Sequence, residues 1–434
     1  MDRRAILLDL YQAAIASANP AQCLPPFLPE PPAAPGRLVI LTAGKAGASM
    51  AAAAVASYRG THPGIFSRLA GIAVTRPGYG IDTNPLKLVE AGHPVPDAAG
   101  LAATEEVLRL ADSATADDLV LVLISGGASA NWIAPIAGIG LEEKQAVTRA
   151  LLRSGAPIGA INAVRRHLSR IKGGRLAALA APARVVTLAI SDVPGDEPAA
   201  IGSGPTVPDP TTLADARAIV ASAGITLPDS VVAALENPAN ETPKPGDPAF
   251  ANTGYRIVAR PAGAIAAAAA RAKALGYDPI VLGDALEGEA REVAKDHARL
   301  VINAASAGRP AAIISGGELT VTVRGNGRGG PNQEYALALA TALDGDDRFA
   351  ALAADTDGVG GGSGASTDPA GAYVDGATAA RGRAAGRDPA AFLANNDATG
   401  FFEAVEGLVR PGPTLTNVND FRAILVDTPK PRTA

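Results

Sequence analysis

The chain has 434 residues, 47% apolar and 19% charged, enough for the packed cores of two or three domains and too apolar for disorder. Its net charge of −5 is spread over interspersed acids and bases and only 4% of residues are aromatic, so neither a basic block nor a set of base-stacking platforms points to nucleic acid. One cysteine, Cys23, excludes an internal disulfide, and His62, His93, His167 and His297 share no spacing that suggests a structural zinc.

The first predicted element is an amphipathic helix in MDRRAILLDLYQAA, with Ile6, Leu7, Leu10 and Ala14 on one stripe. Asp9 and Gln12 interrupt its apolar patch, so it does not read as a signal peptide. No run of about 18 apolar residues occurs. A soluble, cytoplasmic protein with no membrane partner is expected.

From there one pattern recurs: a short apolar run stops at Gly, Ser or Asp, and a helix-like segment follows. Residues 38–41 run into Thr42-Ala43-Gly44-Lys45, residues 119–124 into Ser125-Gly126-Gly127, and residues 185–190 into Ser191-Asp192. Further on, 279–282 run into Gly283-Asp284, 311–314 into Ser315-Gly316-Gly317-Glu318, and 349–354 into Asp355-Thr356-Asp357-Gly358. Runs that are apolar on both faces mark parallel strands covered by helices on each side. Their alternation with helices predicts a doubly wound α/β fold. In such sheets ligands sit outside the carboxyl ends of the strands, which is where these loops fall. The proline-rich stretch 237–248 reads as a connection, giving domains at 1–240 and 250–430.

Six regions could carry chemistry. Lys45 opens a small-residue helix, where the positive end of the dipole disfavours a cation unless an anion is near; a lysine reaching to solvent is the alternative. The loop is not a Walker A, because its upstream glycine and following Ser/Thr are missing. Ser125-Gly126-Gly127-Ala128-Ser129 can bring backbone N–H groups to an oxyanion, or simply make a tight turn. Residues 162–175, NAVRRHLSRIKGGR, hold six bases and no acid; on a helix Arg165, Ser169 and Lys172 would share one side, and Arg166 and Arg170 another. That suits a phosphate or carboxylate, or a solvated basic face. Asp192, Asp196 and Glu197 form an acidic loop that suits magnesium, or ordinary turn chemistry. Asp355-Thr356-Asp357-Gly358 is a third phosphate- or metal-type loop, or a glycine turn.

The richest stretch is 318–334, ELTVTVRGNGRGGPNQE. Residues 319–323 alternate, predicting a half-exposed strand. Gly325, Gly327 and Gly330 then spell G-x-G-x-x-G, Pro331 sits at a first helical position, and a helix over 332–343 follows. A strand ending at Asp355 lies where a dinucleotide fold keeps its ribose acid, so NAD is a competing signal. Against it stand the alternating strand and Arg328 in the loop, which better suits phosphoryl transfer.

In this order the motifs resemble the glycerate 2-kinase family, whose C-terminal half is called the MOFRL domain. The resemblance rests on GKA at 44–46, HPVPD at 93–97, SGGASA at 125–130, NAVRRHLSRIKGGRLA at 162–177 and SDVPGDEPAAIGSGPTVPD at 191–209. It continues with SGGELTVTVRGNGRGGPNQE at 315–334, DTDGVGG at 355–361 and GPTLTNVND at 412–420. Ala128 departs from the small polar residue or glycine expected there. The resemblance implies two α/β domains, a Rossmann-like N-terminal one and a MOFRL-type C-terminal one, with the active site in the cleft between them. It implies ATP- and Mg2+-dependent phosphorylation of D-glycerate at the 2-hydroxyl, with hydroxypyruvate reduction by NAD(P)H as the alternative and a homodimer as a candidate assembly. Catalytic roles fall on Lys45 and Arg328. Substrate or nucleotide contacts are expected from Ser125, Gly126, Gly127, Asn162, Arg165, Lys172, Ser203, Gly204, Glu318, Gly327, Gly329, Asn332, Gln333, Glu334 and Gly358. Metal ligation is expected from Asp192, Asp196, Asp355 and Asp357.

Overall fold

The computed structural model describes residues 2–362 and 364–427. They form two compact units: Cys23–Val258, and the residues up to Gln22 together with those from Ala259 onward.

In the first unit the strands are β1 (Leu38–Ala43), β2 (Leu69–Thr75), β3 (Lys87–Glu90), β4 (Leu119–Ile124), β5 (Arg184–Ile190) and β6 (Thr253–Ala259), in the order β3-β2-β1-β4-β5-β6. The pairs from β3 through β5 are parallel. β1 and β4 are buried at every position, as strands covered on both faces must be. The strand order reverses between β1 and β4, so the loops that follow these two strands leave the sheet as neighbours. That switch point is where an open α/β sheet offers a ligand crevice. The helix Ala98–Asp112 covers one face, capped by Asp97, whose carboxylate accepts from Gly100 N at 2.8 Å. Val107 and Leu108 on that helix pack with Val39, Leu41, Val120 and Val122 of the sheet.

At the opposite end of β1 and β4, Asp118 is only 4% exposed. It accepts from Arg37 N at 2.6 Å, Arg37 Nη2 at 2.7 Å and Thr115 N at 2.9 Å, fixing where both central strands begin.

The second unit has a mixed sheet of β7 (Asp278–Gly283), β9 (Ala311–Ser315), β11 (Phe349–Asp355), β12 (Gly371–Asp375), β13 (Leu408–Val409) and β14 (Asp420–Val426), ordered β13-β12-β11-β14-β9-β7. Within this sheet, among the described residues, only β7 and β9 pair in parallel; β14 lies between β11 and β9, antiparallel to both. The strands lie where the apolar runs predict them, but such runs report burial on two faces and not direction. Both units are α/β, and the second is not all-parallel.

Three local differences from the sequence expectation have physical causes. The N-terminal helix forms as Arg3–Ser17 and buries Ile6, Leu7, Leu10, Tyr11 and Ala14, but it packs on the helix Pro261–Ala274 and on β11 and β14, in the second unit. The division between units falls at Val258 and not within 237–248, because Glu241 accepts from Leu213 N at 3.0 Å and pairs with His167, and Thr242 is buried beside them. The strand expected over 319–323 shrinks to β10 (Leu319–Thr320), paired with β8 (Gly288–Glu289). Beyond it Thr322 N and Oγ donate to the Glu289 carboxylate and Val323 is 73% exposed, so no buried strand leads into the Gly-rich loop. Among the described residues no helix is long and apolar enough to cross a membrane.

Burial acts to raise the Asp118 carboxyl pKa, but Arg37 and the amides of Arg37 and Thr115 hold it down to about 2. A carboxyl with a depressed folded pKa stabilises the fold above its unfolded value, about 4, and loses that contribution as pH falls toward 2. Asp118→Asn is expected to cost about 1–3 kcal/mol at pH 7 through its charged hydrogen bonds. Urea midpoints measured against pH should show the gap between variant and parent closing between about pH 4 and pH 2.

Candidate active site

At the switch point the two loops are joined directly. Gly44 has φ +113°, and a Cβ there would lie 2.4 Å from Ser125 Oγ and 2.5 Å from Ser125 O. Lys45 N donates to Gly126 O at 2.8 Å and Ala46 N to Ser125 Oγ at 2.9 Å. The half-buried Lys45 side chain runs past Gly127, where a Cβ would be 3.4 Å from Lys45 Cγ and 3.2 Å from His93 Nε2. Lys45 and His93 therefore flank the same glycine, which has φ +87°.

Ser129 gathers the next group. Its hydroxyl accepts from Arg165 Nη2 at 2.8 Å and Lys172 Nζ at 3.0 Å. With both lone pairs taken by cations, its one proton is left for Ser203 Oγ, 2.8 Å away. Lys172, 1% exposed, also donates to Ser129 O and Trp132 O at 2.8 and 3.1 Å. Arg165 Nη1 donates to Asn162 Oδ1 at 3.2 Å. Ser203 and Gly204 both have φ near +60°, and their carbonyls accept from Gly173 N and Gly174 N. Three motifs far apart in sequence thus meet at one hydroxyl.

The helix expected to carry the basic cluster ends at His167 (Ile158–His167), so the two shared helical faces do not form; Lys172 arrives through the turns that follow. The other bases are braces. Arg166 pairs with Asp209 at 3.0 Å, His167 with Glu241 at 3.0 Å, Arg170 with Glu105, and Arg175 Nη2 donates to Asn240 O at 2.6 Å.

In the second unit the Gly-rich loop does not present its amides outward. Arg324 N and Gly325 N donate to Asn396 Oδ1 at 2.7 and 3.0 Å, Asn326 N to Asn395 Oδ1 at 3.2 Å, Gly327 N to Asn395 O at 3.0 Å, and Arg328 N to Asp397 Oδ1 at 3.1 Å. A Cβ at Gly325 would meet Asn395 O at 2.3 Å, and one at Gly327 would meet Asp397 Cβ at 2.3 Å. These glycines serve close backbone packing against the 395–397 turn, and the literal G-x-G-x-x-G is not a dinucleotide cradle here.

Arg328 is held out from that packed loop, its side chain 63% exposed, with Nη2 2.7 Å from Glu403 Oε2. Arg410 reaches the other Glu403 oxygen at 3.7 Å. Arg328, Arg410, Gly327, Gly329, Thr399 and Asp368 line a cavity of about 540 Å³.

Asn332, Gln333 and Glu334 open the helix Pro331–Ala342 and are all buried. Asn332 Nδ2 donates to Asp420 Oδ1 at 2.6 Å, and Gln333 Nε2 donates to Gly360 O at 3.1 Å. Glu334, 2% exposed, takes Arg291 Nε at 2.6 Å and Asn396 Nδ2 at 3.1 Å. They tie the 355–362 and 395–397 loops to the helix. The second Ser-Gly-Gly loop is filled from within by Arg422, whose Nη2 donates to the carbonyls of Gly316 and Gly317; Glu318 lies exposed just beyond.

Asp355 Oδ1 accepts from Asp357 N at 2.9 Å and Asp357 Oδ1 from Val359 N at 2.8 Å. Gly358 turns with φ +88°, where a Cβ would strike Gly412 O. The four candidate metal acids fall as two pairs, Asp192 with Asp196 in the first unit and Asp355 with Asp357 in the second. Among the described residues no three His, Cys, Asp or Glu side chains are grouped to hold a metal ion.

Sequence reasoning did not single out His93, Lys144, Thr399, Glu403 or Arg410 as site residues. His93 carried a signal, since it stands in the HPVPD motif. Lys144, Glu403 and Arg410 look in sequence like any surface charge.

The MOFRL family matches residues 311–420, and the family described as Domain of unknown function (DUF4147) matches residues 6–236. A protein of Agrobacterium vitis named "Putative hydroxypyruvate reductase" is 48% identical over 98% of this chain and 94% of its own. The D-glycerate 2-kinase of Thermotoga maritima is 41% identical over 81% of this chain and 82% of its own. The crystal structure of glycerate kinase from Thermotoga maritima superposes with a TM-score of 0.84 at 36% identity, covering 97% of this chain and 99% of that one. The chain is therefore an α/β protein that joins a DUF4147 module to a MOFRL module. It belongs to the glycerate 2-kinase family.

Asn396 holds the Gly-rich loop to the buried Glu334. Asn396→Ala should cost about 2–3 kcal/mol, since it leaves two amides and a buried carboxylate short of partners. Hydrogen–deuterium exchange at Arg324 and Gly325 should accelerate together with that loss.

Proposed function

We propose that this protein is an ATP- and magnesium-dependent kinase that phosphorylates D-glycerate on its 2-hydroxyl to give 2-phosphoglycerate, acting in the cytoplasm. The observation that carries this reading is the kinship with the D-glycerate 2-kinase of Thermotoga maritima over 82% of that protein. The geometry supports it at two places. Lys45 stands at the switch point of a parallel sheet, just before the helix Gly47–Thr61, where backbone N–H groups and the dipole favour an anion. Its amine would balance phosphate charge. Arg328 projects from a rigidly packed loop into a cavity that it shares with Arg410. Its guanidinium would meet charge spreading over the equatorial oxygens of the transferring phosphoryl group.

Asp192, Asp196, Asp355 and Asp357 are the carboxylates proposed for magnesium. They are hard oxygen donors occurring in pairs, which fits an ion that takes one or two carboxylates and completes its shell with phosphate oxygens and water. When bound, magnesium would neutralise charge on the nucleotide phosphates. Gln333 and Glu334 would position the loops that carry Arg328.

The second reading, an NAD(P)H-dependent hydroxypyruvate reductase, is favoured by the name of the Agrobacterium vitis relative. The engaged amides of the Gly-rich loop weigh against it. A coupled assay with D-glycerate, ATP and magnesium, run beside an NAD(P)H–hydroxypyruvate assay, separates the two; hydride transfer without ADP release would reverse the assignment.

Lys45→Ala should fold normally and lose about 10² to 10³ in kcat. Arg328→Ala should lower kcat and kcat/KM together with little change in the KM for ATP, and Arg328→Lys should rescue poorly because a point charge lacks the planar fork. Near-native turnover in either alanine variant contradicts the proposed roles. EDTA should abolish turnover and leave thermal unfolding of the nucleotide-free protein unchanged.

A further inference from the structure

Three cations of the first unit, Lys144, Arg165 and Lys172, line one cavity of about 100 Å³, with Pro94, Val95 and Leu152 among its apolar walls. Lys144 and Lys172 are almost wholly buried. Burial, and then the charge of Arg165, hold both amines well below the ordinary lysine value, and burial also lowers Arg165. None of the three has an ion-pair partner among the described residues, whereas Arg166, His167 and Arg170 nearby in sequence each have an acid. Buried like charges with no counterion are costly, and an anion that enters the cavity relieves the cost.

The hydrogen bonds indicate which cation would meet that anion. Lys172 Nζ is spent on three oxygens of Ser129 and Trp132, while Lys144 Nζ, 3% exposed, gives one of its three protons to Leu168 O at 2.6 Å. Arg165 uses its two terminal nitrogens once each, on Ser129 and Asn162, so a planar fork with five donors has capacity left. A small, partly apolar cavity suits a short carboxylic acid better than a triphosphate. The cavity also adjoins the Lys45 loop, because one segment serves both. His93 packs on Gly127 beside Lys45, and the next residues, Pro94 to Pro96, wall the cavity.

We propose that this cavity is the acid-recognising subsite, in which Arg165 grips the carboxylate of the phosphoryl acceptor with Lys172 and Lys144 behind it. The inference rests on the kinase reading above for its choice of acceptor.

The test is calorimetry on the full chain with D-glycerate, its uncharged amide and ATP, for the parent, Arg165→Gln, Arg165→Lys and Leu152→Glu. The parent should bind D-glycerate at least tenfold more tightly than glyceramide. Arg165→Gln should weaken D-glycerate about 10- to 100-fold, the range for one charged hydrogen-bonding group, and leave ATP within about twofold. Arg165→Lys should restore part of the loss. Leu152 is 57% exposed at the mouth, so Leu152→Glu should fold and weaken D-glycerate severalfold by repulsion while sparing glyceramide. An unchanged D-glycerate affinity in Arg165→Gln, or a parallel loss of ATP binding, overturns the proposal. If Arg165→Gln does not fold, an unchanged affinity in Leu152→Glu overturns it, as does a parent that fails to bind D-glycerate. A parent that binds D-glycerate through Arg165 but passes it no phosphoryl group from ATP would fell the kinase reading alone.

Discussion

Gly44 has no room for a side chain: a Cβ would sit 2.4 Å from the Ser125 hydroxyl oxygen. That one steric constraint couples the loop after β1 to the loop after β4, and the rest of the first unit's site hangs from it. The backbone at 44 must take a left-handed φ, which sends Lys45 N to Gly126 O and Ala46 N to Ser125 Oγ. With the second loop so pinned, Gly127 turns, Ser129 rises on the short helix that follows, and its hydroxyl becomes the acceptor around which Arg165, Lys172 and Ser203 assemble. The reversal of strand order between β1 and β4 makes these loops neighbours, and the glycine lets them touch.

Much of this was legible in the sequence. The apolar runs located β1, β4, β5, β7, β9 and β11, and the Gly/Ser endings of β1 and β4 marked the two loops that meet at the switch point of the first unit. What stayed hidden was pairing. Nothing in the string NAVRRHLSRIKGGR says that Arg166 will find Asp209 and His167 will find Glu241 while Arg165 and Lys172 find no acid. Those acids come from residues 209 and 241, outside the motif, and only the tertiary fold sorts bracing cations from unpartnered ones. Strand direction was hidden too, because burial on both faces is all that β11 and β14 reveal.

The G-x-G-x-x-G of the second unit shows how a motif can be present while its mechanism is missing. A phosphate cradle needs outward amides after a buried strand. Here the strand stops at Thr320, and five successive amides from Arg324 to Arg328 turn toward the 395–397 segment. The glycines permit contact between two stretches of backbone, and the consequence is rigidity. Arg328 is thereby presented on a fixed mount, braced from below by Asn332, Gln333 and Glu334, whose burial takes them out of direct reach of solvent.

The helix Arg3–Ser17 and strand β14 have a consequence for biosynthesis. They pack on each other, and Arg3 pairs with Asp427 at 2.6 Å across 424 positions of chain. The first unit is thus an insertion within the second. On the ribosome, the opening helix emerges long before the strand it covers, while everything from Cys23 to Val258 can emerge and fold in between. The apolar stripe of Ile6, Leu7, Leu10 and Tyr11 must spend that whole interval without its final partner. A nascent chain would therefore carry one finished module and one apolar helix face still waiting for the elements that cover it.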